Sequence, residues 1–292
     1  MNNNIKLLND KRFFIIDIYI YIYKYFFYYK KFYKKNCILI GFLNFIFNFL
    51  KEKKPTYIVV IFDTKLKYNY KKIYFINYKI NRKKIPKQII YFIPKFKKIL
   101  KLLNIPFFYI KNYEADDVIG TIIKKNEKRG FINYIITEDK DFYQLISNKT
   151  FILNIKKKKC IDINFILNKY NIKNIKQYID IISLVGDKSD NIPGIPNVGF
   201  KTANILLKKY NNIENIFSSS KEEKYKKKIL KYKYLAKISK KLFKIKTNLK
   251  IKKKIIFFYR KKINFFIFKK ILLNINKKYF NKKIKNFNYF YI

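Results

Sequence analysis

The sequence predicts an α/β protein built on a mostly parallel sheet that is flanked by helices. Over the first 160 residues, short apolar runs with strand character alternate with longer segments of helical periodicity, which is the pattern of strand–helix–strand units. Acidic residues follow most of these apolar runs directly. After about residue 160 the pattern becomes mainly helical, so we expect a second, helical region.

The predicted elements follow in a regular order. Strands are expected at residues 13–17, 57–63, 107–110 and 134–137, and helices at 18 to about 29, 38–50, 89–103, 114–125 and 141–146. Segment 64–90 is basic and aromatic with little apolar periodicity, so we expect a functional arch over the surface. Further helices are expected at 175–185, 200–210 and 221–246, with a tight hairpin at 194–199.

The composition indicates a globular protein that binds polyanions. Apolar residues make up 49% of the 292 residues and aromatic residues 20%, which excludes a disordered chain. The 68 Lys and Arg residues against 18 Asp and Glu residues give a formal net charge of +50, which favours salt-sensitive binding to nucleic acid. A second interpretation is that an AT-rich coding sequence has enriched lysine on solvated faces.

Two further features bear on the cellular location. Cys37 and Cys160 are far apart, match no metal-binding spacing and are expected to be free thiols in a reducing compartment. Asp17 and Lys24 interrupt the apolar stretch 13–29, so a buried strand and an amphipathic helix are favoured over a membrane span. We therefore expect a cytoplasmic, nucleoid-associated protein with no membrane partner.

Nine of the eighteen acidic residues lie in five short clusters, most of them at or just after an apolar run. They are Asp17; Asp63; Glu114, Asp116 and Asp117; Asp139 and Asp141; and Asp187 and Asp190. Ligands collect outside the carboxyl ends of parallel strands, and carboxylates gathered there repel each other unless a cation lies among them. Hard divalent ions such as Mg²⁺ take oxygen ligands of this kind. Taken singly, each cluster has a structural alternative as a helix cap, a turn or a complement to a helix dipole.

The motif YKINR, residues 78–82, indicates phosphate binding. It carries one of only four arginines in the chain. Lys79 and Arg82 are spaced to face one phosphate if the segment is helical, and Tyr78 could stack on a base. A solvated charged face is the alternative.

The motif NIPGIPNVGFKTA, residues 191–203, predicts a helix-hairpin-helix that binds the duplex backbone without regard to sequence. Gly194 and Gly199 let main-chain N–H groups approach a phosphate, and the following helix N-terminus favours negative charge. Lys201 and Thr202 fall in the first turn of that helix. A plain helical hairpin is the alternative.

In this order, the motifs resemble the 5′-nuclease domain (5′→3′ exonuclease and flap endonuclease) at the N-terminus of bacterial DNA polymerase I. The resemblance covers residues 11 to about 250 and rests on FIIDIYIYIYKYFF, VVIFDTK, YKINR, YEADDVIG, IITEDKDFYQLI, LVGDKSDNIPGIPNVGFKTA and ISKKLFKIKT. It implies a PIN-like fold with a helical arch, a helix-hairpin-helix, and two or more Mg²⁺ or Mn²⁺ ions. We accordingly expect a catalytic domain at 11–160 with its arch at about 64–90, a helix-hairpin-helix region at 161–250, and a basic segment of unknown role at 251–292.

The resemblance also implies roles for single residues. The first metal ion would be held by Asp17, Asp63, Glu114 and Asp116, and the second by Asp139, Asp141, Asp187 and Asp190. Asp139 would lie near both ions. Asp117 also matches the family motif and would lie behind the residues that contact the metal. Lys79 and Arg82 would steady the scissile phosphate, with Tyr78 against a base. Gly194, Val198, Gly199, Lys201 and Thr202 would contact the DNA backbone, with K⁺ as a further candidate ion at the hairpin.

The sequence departs from the family after its first aspartate. Ile18 and Tyr19 occupy positions where the family usually has small residues. Lys24 occupies the position of a usual arginine, so the pair of hydrogen bonds that a guanidinium can donate to one partner is lost. The expected activity is two-metal cleavage of DNA at 5′ flaps, nicks and duplex 5′ ends, in RNA-primer removal and repair. We expect a stand-alone monomer that works beside a separate polymerase. Two other classes stay open: a structure-specific DNA-binding protein with weakened catalysis, and a PIN-type ribonuclease.

Overall fold

The computed structural model describes residues 11–30, 37–64, 69–155, 157–219 and 226–262, together with 266, 269, 270, 273 and 274. Parts of three predictions lie outside these residues: 65–68 of the arch, 221–225 of the lysine-rich helical run, and most of segment 263–292. No helix in the described part of the chain is long and apolar enough to cross a bilayer.

A six-stranded sheet forms the centre of the N-terminal half. Its strands are β1 (Arg12–Asp17), β2 (Tyr57–Ile61), β3 (Phe107–Phe108), β4 (Ile132–Ile136), β5 (Thr150–Asn154) and β6 (Lys159–Ile161). Their spatial order is β3-β2-β1-β4-β5-β6, and each pair is parallel except β5 and β6 at one edge. The mostly parallel sheet is confirmed.

Side chains of β1 enter a core on each face of the sheet. Phe13 and Ile15 lie in one core, and Phe14 and Ile16 lie in the other, each at most 2% exposed. Because successive side chains of a strand alternate between faces, a strand buried on both faces has no polar side. This is why the strand sequences are near-continuous apolar runs.

Helices cover both faces of the sheet. On one face lie α1 (Ile18–Lys30), α2 (Cys37–Lys53) and α4 (Lys87–Leu102), and on the other lies α5 (Ala115–Lys128). The short α3 (Lys71–Tyr74) belongs to the predicted arch, whose remaining described residues up to 86 are turns and irregular chain. The arch ends earlier than residue 90 because α4 begins directly after Pro86, whose fixed φ of −53° suits a helix start.

The C-terminal half is helical, as predicted, and shares the core that contains α5. It comprises α6 (Ile163–Tyr170), α7 (Lys176–Val185), α8 (Phe200–Tyr210), α9 (Ile213–Ser218), α10 (Lys226–Lys231) and α11 (Lys233–Phe243). Helices α7 and α8 with the chain between them form the predicted helix-hairpin-helix. The sequence did not identify α6 or α9, which are short and begin at side-chain caps: Asp162 accepts from the Phe165 N–H at 2.8 Å, and Asn212 from the Asn215 N–H at 2.7 Å.

The strands β5 and β6 were also missed. β5 has only three consecutive apolar residues, a run that is compatible with a helix segment as well as a strand. β6 has only three residues, two of them exposed. Its antiparallel pairing with β5 defines it as a strand. The predicted helix at 141–146 is a 3₁₀ helix over Lys140–Leu145.

The first residues of segment 251–292 close the amino-terminal edge of the sheet. Phe258 is 3% exposed and packs edge-on against Phe13, with ring centroids 5.4 Å apart. Tyr259 forms an antiparallel bridge with Tyr57, and the Arg260 N–H donates to the Thr56 carbonyl oxygen at 2.9 Å. This part of the segment therefore has a structural role.

Candidate active site

Three neighbouring strands deliver aspartates to the carboxyl edge of the sheet. Asp17 is the last residue of β1, Asp63 follows β2, and Asp139 follows β4. Strand order reverses between β1 and β4, which makes this edge a topological switch point where open sheets bind ligands. Thr137 fixes the arrangement: its hydroxyl donates to Asp17 Oδ2 at 3.2 Å and accepts from the Asp139 N–H at 3.1 Å.

Two further elements bring the remaining carboxylates to the same edge. Glu114 precedes α5, and Asp116 lies in its first turn. Asp187 and Asp190 lie in the turn that follows α7, closed by a bridge between Asp187 and Ile192. The Asp139 carboxylate accepts from the Asp141 N–H at 2.9 Å, which holds these two residues together.

Burial and mutual repulsion raise the pKa values of several of these carboxylates. Burial and the Asp139 carboxylate raise the pKa of Asp17 to about 7. Burial, followed by Asp139 and Asp190, raises the pKa of Asp141 to about 8. The pKa of Asp116 is also raised well above its ordinary value, because burial and the neighbouring carboxylates outweigh the effect of Lys79. Crowded negative charge without sufficient counter-charge is the cause in each case.

Cations from the arch neutralise one side of this cluster. Lys79 Nζ lies 2.6 Å from Glu114 Oε1, and Lys71 Nζ lies 3.1 Å from Glu114 Oε2. Burial alone would raise the pKa of Glu114, but Lys79 and Lys71 lower it to about 2. The Tyr78 hydroxyl donates to Glu114 Oε2 at 3.3 Å. Glu114 is therefore charged and fully paired in this structure.

Asp190 is paired with the same segment. Two nitrogens of Arg82 contact Asp190 Oδ1: Nε donates at 2.7 Å, and Nη2 lies 2.6 Å away. Lys79 Nζ lies 3.4 Å from Asp190 Oδ2. Although Lys79 and Arg82 are not on a helix, a turn brings both to one carboxylate.

The donor set fits divalent cations in its chemistry. Asp17, Asp116 and Asp141 offer buried carboxyl oxygens whose ionisation is disfavoured by burial and neighbouring carboxylates. A hard ion such as Mg²⁺ or Mn²⁺ would favour their ionised form and takes oxygen ligands of this kind. As the side chains stand, no three acidic or thiol groups among the described residues form a ready ligand set. Arch cations hold Glu114 and Asp190 in ion pairs.

Two predicted site residues are buried. Asp117 is fully buried and faces the chain after α11, where it accepts from the Lys246 N–H at 2.8 Å and from the Tyr70 hydroxyl at 3.2 Å. Tyr78 is 2% exposed, and its ring packs beneath the ammonium groups of Lys71 and Lys79. In this conformation the Tyr78 ring has no face open to a base, and its contacts position Glu114 and Lys79.

The hairpin residues separate into buried and exposed groups. Gly194 is buried, has a φ of +60° and donates its N–H to Ser239 Oγ at 2.9 Å. Val198 is 5% exposed and donates its N–H to the Ile195 carbonyl oxygen at 3.1 Å. The structure therefore gives these two residues a packing role in place of the predicted phosphate contact.

The exposed group lies at the start of α8. Gly199 and Lys201 are exposed and Thr202 is partly buried. No side chain caps this helix, so the first-turn N–H groups point outward from the end that favours anions. These three residues keep the geometry expected of a phosphate contact.

Sequence reasoning missed Lys71 and Thr137. Lys71 is one lysine in a lysine-rich segment, yet it is 2% exposed and pairs with Glu114. Nothing in the sequence distinguishes it. Thr137 had a usable signal, because it stands between a strand and the first aspartate of the TEDKD motif, where its hydroxyl can reach neighbouring strand ends.

Fold and site together define an α/β domain with a mostly parallel sheet and an acidic carboxyl edge, joined to a helical region that carries a helix-hairpin-helix. A family model described as the 5′-3′ exonuclease N-terminal resolvase-like domain matches residues 12–171. A second, described as the 5′-3′ exonuclease C-terminal SAM fold, matches residues 173–264. The chain belongs to the 5′-3′ exonuclease family, as the sequence motifs predicted.

Named relatives agree with this assignment. The 5′-3′ exonuclease of Aquifex aeolicus is 40% identical over 179 residues, 61% of each chain. That of Buchnera aphidicola subsp. Baizongia pistaciae is 37% identical over 236 residues, 76% of each chain. DNA polymerase I of Bacillus subtilis is 36% identical over 219 residues, which are 72% of this chain but 24% of the polymerase. The chain thus matches 61% of the Aquifex protein's length and a quarter of the polymerase.

Solved structures share the fold at low sequence identity. The T5 D15 protein co-crystallised with metal ions superimposes with a TM-score of 0.69 at 19% identity, covering 81% of this chain and 90% of that one. The catalytic core of Rad2 in complex with a DNA substrate gives a TM-score of 0.67 at 18% identity, with 97% and 93% covered. The predicted fold class is confirmed.

Proposed function

We propose that the chain is a structure-specific 5′→3′ exonuclease and flap endonuclease that hydrolyses DNA phosphodiesters in RNA-primer removal and repair. One observation carries the proposal: strand ends, a helix start and a turn bring acidic side chains to a single sheet edge, directly beneath Lys79 and Arg82. An acidic pocket in a chain of net charge +50 suits a metal-dependent enzyme whose substrate is a polyanion.

The proposed ligands divide into two sets that share Asp139. Asp17, Asp63, Glu114 and Asp116 form one, and Asp139, Asp141, Asp187 and Asp190 form the other. The electrostatic neighbours support this division, because Asp17 is influenced by Asp63 and Asp139, whereas Asp141 is influenced by Asp139, Asp190 and Asp187. Two bound Mg²⁺ or Mn²⁺ ions would supply a hydroxide nucleophile and stabilise the leaving oxygen.

The protein's own contribution begins with the arch cations. Burial lowers the pKa values of Lys79 and Arg82, but the effect of their acidic partners is larger and raises both pKa values above normal. Both side chains therefore remain charged at neutral pH. The side chain of Arg82 is 50% exposed at the edge of the site. When a substrate phosphate enters, these groups can exchange a carboxylate for phosphate oxygens and stabilise the charge that develops there.

The helical region would bind the duplex part of the DNA substrate. In this proposal residues 11–160 form the catalytic domain and 161–250 the DNA-binding region. The uncapped start of α8 at Gly199, Lys201 and Thr202 contacts a backbone phosphate, with K⁺ as a candidate ion at the hairpin. The Rad2 core solved with a DNA substrate and the T5 D15 protein solved with metal ions support both halves of the proposal.

The proposed setting follows from the family. The substrates are 5′ flaps, nicks and duplexes with free 5′ ends, with RNA primers as further substrates. In this proposal the chain acts as a monomer at the nucleoid, together with a separate polymerase. The similarity to DNA polymerase I of Bacillus subtilis supports a role close to DNA synthesis.

The test is cleavage of a labelled 5′-flap duplex with Mg²⁺ and with EDTA. Mg²⁺-dependent release of the flap is expected from the wild-type chain. Asp63→Ala and Asp141→Ala should abolish cleavage while keeping most of the DNA binding. Glu52→Ala is the matched control, because Glu52 is an exposed carboxylate at the end of α2, near the opposite edge of the sheet.

Three outcomes would contradict the proposal. Binding without Mg²⁺-dependent cleavage would favour a non-catalytic DNA-binding protein. Preferential cleavage of structured RNA over flap DNA would favour a ribonuclease. Wild-type rates from Asp63→Ala or Asp141→Ala would show that the chemistry lies elsewhere.

A further inference from the structure

Helix α1 carries three aromatic residues in a row on one face. Tyr19, Tyr23 and Phe27 are spaced four residues apart, which places them one above the next along a helix. The ring centroids of Tyr19 and Tyr23 are 6.4 Å apart, as are those of Tyr23 and Phe27. The planes of Tyr23 and Phe27 differ by only 20°, so their faces have nearly the same orientation.

The row begins at the acidic edge and leads away from it. The Tyr19 hydroxyl donates to the Asp63 carbonyl oxygen at 3.5 Å, and the Tyr19 ring packs edge-on against Phe62 at 6.3 Å. Tyr19 and Tyr23 are partly buried, whereas Phe27 is 56% exposed. A core role alone does not explain an apolar ring exposed to this extent at the end of an ordered row.

Cations accompany the row. The Arg82 guanidinium contacts Asp190 at the acidic edge where the row begins, and its side chain is 50% exposed there. Lys97 on α4 places its Nζ 5.1 Å from the ring centre of Phe62, the neighbour of Tyr19, and 4.4 Å from that of Tyr109. Aromatic rings with cations in their surroundings are features that bind single-stranded nucleic acid.

We propose that Tyr19, Tyr23 and Phe27 form a stacking track for the single-stranded 5′ segment of a DNA substrate as it leaves the acidic edge. This inference rests on the proposed nuclease function and names the part of the substrate that this face accepts. Successive bases stack on the rings, while Arg82 and Lys97 neutralise the adjacent phosphates. Because every base has a π face, the track selects for a single strand and not for a sequence.

The test uses a 5′-flap duplex with 2-aminopurine at successive flap positions next to the junction, bound in EDTA so that cleavage does not interfere. Stacking on a ring quenches this base, so binding to the wild-type chain should quench its fluorescence. The double variant Tyr23→Leu, Phe27→Leu should restore most of the fluorescence and weaken flap binding about tenfold for each base that loses its ring. The loss should be smaller on nicked duplex without a flap.

Tyr28→Leu is the control, because Tyr28 is 63% exposed on the same helix but lies off the face that carries the row. Phe27→Leu alone changes only a largely exposed side chain, so it remains usable if the double variant does not fold; it should dequench the outermost probe. Unchanged quenching, or equal losses on flap and nicked duplex, would overturn the track. Failure of the nuclease proposal is separately visible, since it appears as absent Mg²⁺-dependent cleavage by the wild-type chain.

Discussion

Lys79 is joined to Asp190 twice: its main-chain N–H donates to the Asp190 carbonyl oxygen at 2.9 Å, and its Nζ lies 3.4 Å from Asp190 Oδ2. Lys79 has a φ of +57°, a left-handed conformation that costs a non-glycine residue free energy unless its surroundings hold it. The neighbouring contact between Asn191 Nδ2 and the Asn77 carbonyl oxygen, 2.7 Å, adds a second tie. The base of the arch is thus fixed to the turn that carries two proposed metal ligands.

Lys79→Met should separate metal binding from cleavage. The change removes an ammonium group held 2.6 Å from Glu114, so Mn²⁺ should bind more tightly because a competing cation is gone. Cleavage of a flap duplex should nevertheless fall by about 100-fold or more, because a group that stabilises transition-state charge is lost. Calorimetric Mn²⁺ titration and single-turnover cleavage measure the two effects.

Lys72→Met is the control for this experiment, since Lys72 is an exposed lysine of the same arch, on the short helix α3. Weaker Mn²⁺ binding by Lys79→Met would show that Lys79 does not compete for the carboxylates.

Asp117→Ala should affect stability and not metal affinity. Asp117 is fully buried and accepts from the Lys246 N–H and the Tyr70 hydroxyl. Removing it leaves buried donors without a partner, at a cost of about 1–3 kcal/mol in the free energy of unfolding. Urea unfolding measures this loss, and Mn²⁺ titration is compared with Asp116→Ala, which should bind metal less tightly. Equal weakening by both variants would make Asp117 a ligand.

Gly194→Ala and Gly199→Ala form a matched pair within the hairpin. A Cβ at Gly194 would lie 2.5 Å from the Val185 carbonyl carbon, and the φ of +60° disfavours any side chain. A Cβ at Gly199 would meet nothing within 4 Å. We expect Gly194→Ala to lower the free energy of unfolding by more than about 2 kcal/mol and Gly199→Ala to change it by less than about 0.5 kcal/mol. Similar urea midpoints for the two variants would contradict the packing role of Gly194.

The contrast between these residues shows what the sequence could predict. The carboxyl ends of parallel strands lie at the same edge of a sheet. Because Asp17, Asp63 and Asp139 each follow an apolar run with strand character, the sequence was sufficient to predict that their carboxylates lie near each other. The same argument cannot reach Lys71 or the buried ring of Tyr78, because their positions depend on the turns of segment 69–82, which have no periodic signal. Motif spacing likewise identified the hairpin but not which of its glycines faces the core.

Lys201→Ala should reduce the salt dependence of duplex binding. Lys201 is exposed in the first turn of the uncapped helix α8. Loss of one phosphate contact should lower the slope of log Kobs against log salt by about 0.9. Lys208→Ala is the control, since Lys208 is exposed in the last turn of the same helix. Equal slopes for the two variants would remove the start of α8 from the DNA interface.

The crowded carboxylates predict an unusual dependence of stability on pH. Burial with Asp139 raises the pKa of Asp17 to about 7, and burial with Asp139 and Asp190 raises that of Asp141 to about 8. In the unfolded chain both ionise near about 4, so the folded, metal-free protein holds protons that the unfolded chain has released. Their stabilising effect is complete below about pH 4 and is lost as the pH rises through 7 and 8. The chain has no histidine, so no imidazole titrates in the same pH range and adds to this change in stability.

Thermal unfolding in EDTA should therefore show a Tm that falls steadily from about pH 5 to about pH 8. Asp141→Asn should flatten the fall, because an amide has no proton to lose, whereas Glu52→Gln at an exposed position should leave it unchanged. Added Mg²⁺ should also flatten it by favouring the ionised carboxylates in the folded state. If Asp141→Asn and the wild-type chain show the same slope in EDTA, Asp141 does not share the charge of the acidic edge, and its place among the proposed ligands is lost.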